Sequence, residues 1–170
     1  MATVTTYSGT PANSCRIGDD ATRTYSAQQF TATADGTLTS LNFYMRLTDG
    51  TPTDGVTVQI WSDDGSDSPN ALISGATQNI AQASIVDGGN SWSTSENTNV
   101  TFSSPPTLVN GTKYWAVMFR QGAIDAVNYN NMWTTDPSSY AGGVWKVSTL
   151  GVLWTTVDRD QTYEITITES

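Results

Sequence analysis

Residues 60–72 read IWSDDGSDSPNAL, with Asp63, Asp64 and Asp67 crowded around Gly65 and ahead of Pro69. Carboxylates this dense are the raw material of a calcium cage, because a hard cation collects oxygen ligands. An EF-type loop needs Asp at its first position, oxygen ligands at the third and fifth, Gly at the sixth and Glu at the twelfth. Counted from Asp63, the later places hold Gly65, Asp67, Ser68 and Ser74; counted from Asp64, they hold Ser66, Ser68, Pro69 and Gly75. Neither register supplies a bidentate carboxylate. The three aspartates are metal candidates only with help from backbone carbonyls, and a turn between two strands is the preferred reading.

Other chemistries are short of parts. There is no histidine, which excludes a Ser–His–Asp or Cys–His nucleophile and leaves a zinc site without ligands beyond Cys15. Cys15 has only Arg16 beside it to lower its pKa and reads as a small apolar filler. Two carboxylates suffice for a glycosidase, and Asp125, Asp136, Asp158, Asp160 and Glu164 are available, but no pair stands out. No phosphate loop or dinucleotide fingerprint is present, so no cofactor and no enzymatic activity are expected.

Binding is better supplied. The stretch NYNNMWTTDPSSYAGGVW (128–145) concentrates Tyr129, Asn130, Asn131, Trp133, Asp136, Tyr140 and Trp145. Flat aromatics with amides beside them suit a sugar ring, and this stretch, Tyr129, Asn130, Asn131, Trp133, Tyr140 and Trp145 above all, is the candidate ligand site. The same residue types also cover a core edge or join subunits.

Charge narrows the partners. Lys and Arg number 7 against 16 Asp and Glu, a formal net charge of −9. Nucleic acid and anionic membrane surfaces, which recruit clustered Lys and Arg, are not expected partners. No apolar run approaches the ~20 residues of a membrane helix, and MATVTTYSGTPANSC has no basic segment followed by an apolar one, so no secretory leader is expected.

The elements that must position these groups are strands. Leu41, Phe43, Met45 and Leu47 alternate with Asn42, Tyr44 and Arg46; Val56, Val58 and Ile60 with Thr57 and Gln59; Tyr163, Ile165 and Ile167 with Glu164, Thr166 and Thr168. That period of two predicts half-buried antiparallel strands. KYWAVMFR (113–120) is apolar on both parities, as a central strand covered on both faces would be, with Tyr114 and Trp115 pointing opposite ways. Turn signals such as Asp49-Gly50, Asp87-Gly88-Gly89 and Asn110-Gly111 punctuate the strands, and only 68–85 could hold a helical turn. The expected fold is all-β, an antiparallel two-sheet β-sandwich over 26–170, preceded by a polar, mostly irregular amino-terminal arm or first strand over 1–25.

The order of motifs carries a resemblance over roughly residues 27–168. It runs Gln28-Gln29-Phe30, Gly36-Thr37-Leu38, Ile60-Trp61-Ser62-Asp63, Ser68-Pro69-Asn70-Ala71-Leu72, Trp92, Phe102, Asn110-Gly111-Thr112-Lys113-Tyr114-Trp115, Tyr140-Ala141-Gly142-Gly143, Trp154 and Asp160. This resembles the jelly-roll β-sandwich module of tailed-phage virion proteins and bacterial surface proteins. The resemblance implies display or adhesion and no catalytic residue. The expected function is a non-enzymatic virion component (capsid decoration, head fibre or tail appendage) that meets capsid or tail proteins and copies of itself. The alternative is a carbohydrate-binding or adhesion module of a bacterial cell surface, with a surface glycan as its ligand.

Overall fold

The computed structural model describes residues 2–6, 11, 13–46, 50–87, 97–135 and 143–169. In chain order the strands are β1 (Ala2–Thr6), β2 (Asn13–Ile17), β3 (Tyr25–Thr31), β4 (Gly36–Phe43), β5 (Val56–Asp63), β6 (Pro69–Ile80) and β7 (Thr98–Val100). They continue with β8 (Thr107–Leu108), β9 (Lys113–Arg120), β10 (Asn130–Thr135), β11 (Trp145–Ser148), β12 (Thr155–Val157), β13 (Asp160–Gln161) and β14 (Tyr163–Glu169).

All strand pairs among the described residues are antiparallel. One sheet runs β12-β11-β3-β9-β5-β6; another runs β1-β14-β4-β7, with β8 also on β4; a third runs β13-β10-β2. The third is tied to the second where the chain leaves β4: Trp133 N–H donates to the Tyr44 carbonyl at 2.9 Å and Arg46 N–H to the Asn131 carbonyl at 3.0 Å. The sheets pack together as a β-sandwich.

The alternating runs supply the core between them. Leu41, Phe43, Met45, Val56, Val58, Ile60, Tyr163, Ile165 and Ile167 are all buried in one cluster, while Leu47 lies outside the described residues. Each such side chain contributes about 1.5–3 kcal/mol by leaving water. Gly36 permits a close approach of β4 to β14: a Cβ there would lie 2.1 Å from the Thr168 carbonyl oxygen, a distance that only a residue without a side chain tolerates.

Strand β9 is covered on both faces. Tyr114, Ala116 and Met118 join the main core. Trp115 and Val117 join Ala27 in a second cluster on the opposite face, packed against Tyr25, Trp61, Phe119, Val144 and Trp154.

Two segments take a form the sequence left open. The stretch expected to hold an arm or first strand carries two strands: β1 pairs β14 from Ala2↔Thr168 to Thr6↔Glu164, and β2 pairs β10. Cys15 and Ile17 point inward from β2 while Arg16 stays exposed, so a short polar segment still has one apolar face. Within 68–85 the chain is mostly the long strand β6, and a single 3-10 turn, Gln82–Ser84, follows it.

Candidate functional site

The aspartates sit at the β5–β6 turn, and most of their oxygens are engaged by N–H groups. Asp63 Oδ1 accepts the Gly65 N–H at 2.7 Å, while Oδ2 accepts the Trp115 indole N–H at 2.8 Å and the Gln29 amide at 2.9 Å. Asp64 Oδ1 accepts the N–H groups of Ser66 at 2.7 Å and Ser68 at 3.1 Å, and Asp64 N–H donates to the Ser68 carbonyl at 2.9 Å. Gly65 and Asp67 both have positive φ, 85° and 57°, a conformation that Gly and Asp tolerate best. Asp67 Oδ1 accepts from Gln29 and from the Lys113 ammonium. The Lys113 bond first, then the Gln29 bond, holds the Asp67 carboxyl below its ordinary pKa. This is the hydrogen-bonding pattern of a chain reversal pinned to β9 and β3. Among the described residues, no group of three or more His, Cys, Asp or Glu side chains is gathered for a metal.

The pinned turn forms one wall of a groove of about 580 Å³. Trp61, Asp64, Ser68, Pro69 and Asn70 line one side; Gly151, Val152, Leu153 and Trp154 line the other. Two elements far apart in sequence meet here because β5 and the approach to β12 lie on the same outer face of the six-stranded sheet. Trp61 is outward for a simple reason: it follows inward Ile60 in an alternating strand. The Trp61 and Trp154 rings stand edge to face, with centroids 6.2 Å apart and planes at 82°.

Under them lies Trp115, fully buried on that outer face. Lys146 reaches across it, Nζ 5.8 Å from the ring centroid, and donates to Ser68 Oγ at 2.7 Å. On the groove's second side the tip of the 150–153 loop is apolar and open: Leu150, Val152 and Leu153 are 73%, 71% and 83% exposed.

The aromatic stretch at 128–145 is arranged differently. Tyr129, Asn130, Asn131, Trp133 and Trp145 are all buried. The Arg16 guanidinium lies over the Tyr129 ring and that of Arg46 over the Trp133 ring, each at 5.1 Å. Asn130 and Gln82 exchange amide bonds, Nδ2 to Oε1 at 2.9 Å and Nε2 to Oδ1 at 3.1 Å. Trp145 belongs to another sheet, faces the main core and donates its indole N–H to Ser26 Oγ at 2.8 Å. These five side chains therefore form no open platform. Tyr140 and Asp136 lie outside the described residues.

Of the carboxylates considered for glycosidic chemistry, Asp125, Asp160 and Glu164 are each engaged by different partners. Asp125 caps its own loop, accepting from the Asn128 side chain and from the Val127 and Asn128 N–H groups, and its pKa is lowered in consequence. Asp160 is fully buried and accepts from Gln28 at 3.1 Å. Glu164 accepts from Asn42 at 3.1 Å. Cys15 lies in the core, where burial pushes its thiol up to about 11.

The sequence reading missed the groove. Its signal was the parity of Trp61 and Trp115, both opposite to the core-facing residues of their strands. No family model matches this chain, and no curated protein matches it in sequence.

Proposed function

We propose that this chain is a non-enzymatic structural protein of a tailed-phage virion (capsid decoration, head fibre or tail appendage) that joins capsid or tail proteins and copies of itself. The observation that carries this reading is the open apolar tip at Leu150, Val152 and Leu153. Single exposed apolar residues are ordinary, whereas a contiguous cluster marks a surface that another molecule covers. Strands β1 and β6 end their sheets and offer further backbone edges for assembly. The absence of histidine favours a passive role.

The test is co-sedimentation of the full chain with purified capsids and tails, alongside sedimentation velocity of the chain alone. Association weakened by Leu153→Ser supports the reading; a strictly monomeric chain that sediments with neither particle contradicts it.

A second reading, a carbohydrate-binding or adhesion module of a cell surface, is favoured by the perpendicular Trp61–Trp154 pair beside polar side chains. A glycan array tests it, and the absence of any selective signal would remove it.

A further inference from the structure

We infer that the Trp61–Trp154 groove is a binding site for a neutral carbohydrate, an inference that rests on the second, glycan-binding reading and locates its site away from the 128–145 stretch. Two indoles meeting at 82° make a corner. A pyranose ring has apolar C–H faces that stack on an aromatic plane and a hydroxyl rim that needs partners at the side. The groove supplies both. Its volume, about 580 Å³, falls in the range of roughly 300–1,000 Å³ typical of small-molecule sites.

The polar wall has free capacity of the right kind. Asp64 is exposed and uses Oδ1 for its own turn, leaving Oδ2 without a partner among the described residues. The exposed Asn70 side chain makes no hydrogen bond within the described chain and offers one acceptor and two donors. Ser68 Oγ accepts from Lys146, which leaves its own hydrogen to donate. On the opposite side the Trp154 indole N–H is itself buried, so this ring offers the ligand its apolar surface and not a donor. Acceptor, amide and hydroxyl on one wall, in a groove also lined by two indoles, match vicinal hydroxyls on a stacked ring.

Charge selects the class. Lys113 pairs with Asp67, whereas Lys146 bonds the neutral Ser68 hydroxyl and keeps its charge beside the groove. Asp63 and Asp64 take only neutral donors and together outweigh Lys146 by one negative charge, within a chain of net charge −9. Uronic and sialic acids meet repulsion here, whereas neutral and N-acetylated sugars do not.

The experiment titrates the full chain with oligomers of glucose, mannose, galactose and N-acetylglucosamine, and with oligouronate and sialyllactose, by calorimetry and tryptophan fluorescence. The variants are Trp154→Ala and, because Trp154 also packs on the outer cluster, Asn70→Ala at an exposed position. At least one neutral oligomer is expected to bind, and each variant to weaken it about tenfold or more, with the circular dichroism unchanged for Asn70→Ala. Binding that both variants leave intact overturns the groove while the glycan reading survives. Binding of acidic sugars alone overturns the neutral class. No binding to any sugar overturns both the groove and the reading. Loss of self-association in Asn70→Ala with no sugar bound would make the groove an assembly surface and also overturn the proposal.

Discussion

Trp115 donates its indole N–H to Asp63 Oδ2 at 2.8 Å, linking the centre of the six-stranded sheet to the turn at its end. Trp115 is fully buried, so this N–H has no water to fall back on. The same oxygen takes the Gln29 amide from β3. One carboxylate thus fixes the turn against two neighbouring strands and sets the position of the groove's polar wall.

Removing that acceptor is expected to cost more than a surface change. Asp63→Ala leaves the Trp115 N–H buried and unpaired, a loss of about 1.5–3 kcal/mol. Asp63→Asn keeps an acceptor oxygen and should lose less. Urea denaturation of the two variants checks the order; equal stability of Asp63→Ala and the parent would contradict the role assigned to this bond.

The buried aromatics of 128–145 are expected to act on stability. Trp133→Ala and Trp145→Ala each remove a side chain from a closed site, at a cost of about 3–5 kcal/mol. Val152→Ala, at the exposed tip, should stay within about 0.5 kcal/mol of the parent. Thermal melts distinguish the two groups.

These contrasts show what the sequence made legible. Alternation placed Leu41, Phe43, Val58, Ile60, Ile165 and Ile167 in the core, and the doubly apolar run around Trp115 marked a strand covered on both faces. Alternation is a local signal and says which residues share a side. It does not say what covers that side. Asn130 looks like a free amide in sequence, yet its partner is Gln82, brought in by the fold. Strand β2 is too short and polar to declare itself, and its pairing with β10 defines it. The groove joins Trp61 to residues 151–154, and no periodicity within one strand can reveal that meeting.

Acid should expose one local ion pair. Hydrogen bonds from Thr22 and then Arg23 lower the Asp20 carboxyl from 3.8 to about 2. A carboxyl depressed in the folded state stabilises it fully above the unfolded pKa and loses that contribution as pH falls through the folded one. The parent should therefore exceed Asp20→Asn in melting temperature above pH 4, with the gap closing towards pH 2. Because Asp20 is 39% exposed, the gap should be small and reduced by salt. A gap that widens below pH 4 would contradict the assignment.

Cys15 should be silent in the native protein. Burial raises its thiol to about 11, and a thiol rather than a thiolate is poorly reactive. Labelling with a thiol reagent at pH 8 is expected to follow global unfolding in urea. Rapid labelling of the native chain would mean that the core around Cys15 opens on its own.

The location of the functional surface is tested most directly by oxidative footprinting of individual tryptophans, read by mass spectrometry. Trp61 and Trp154, half-buried at the groove, are expected to oxidise quickly, and Trp115, Trp133 and Trp145 to stay protected until the chain unfolds. Oxidation of Trp133 or Trp145 as fast as Trp154 would place the open aromatic surface elsewhere and contradict the account.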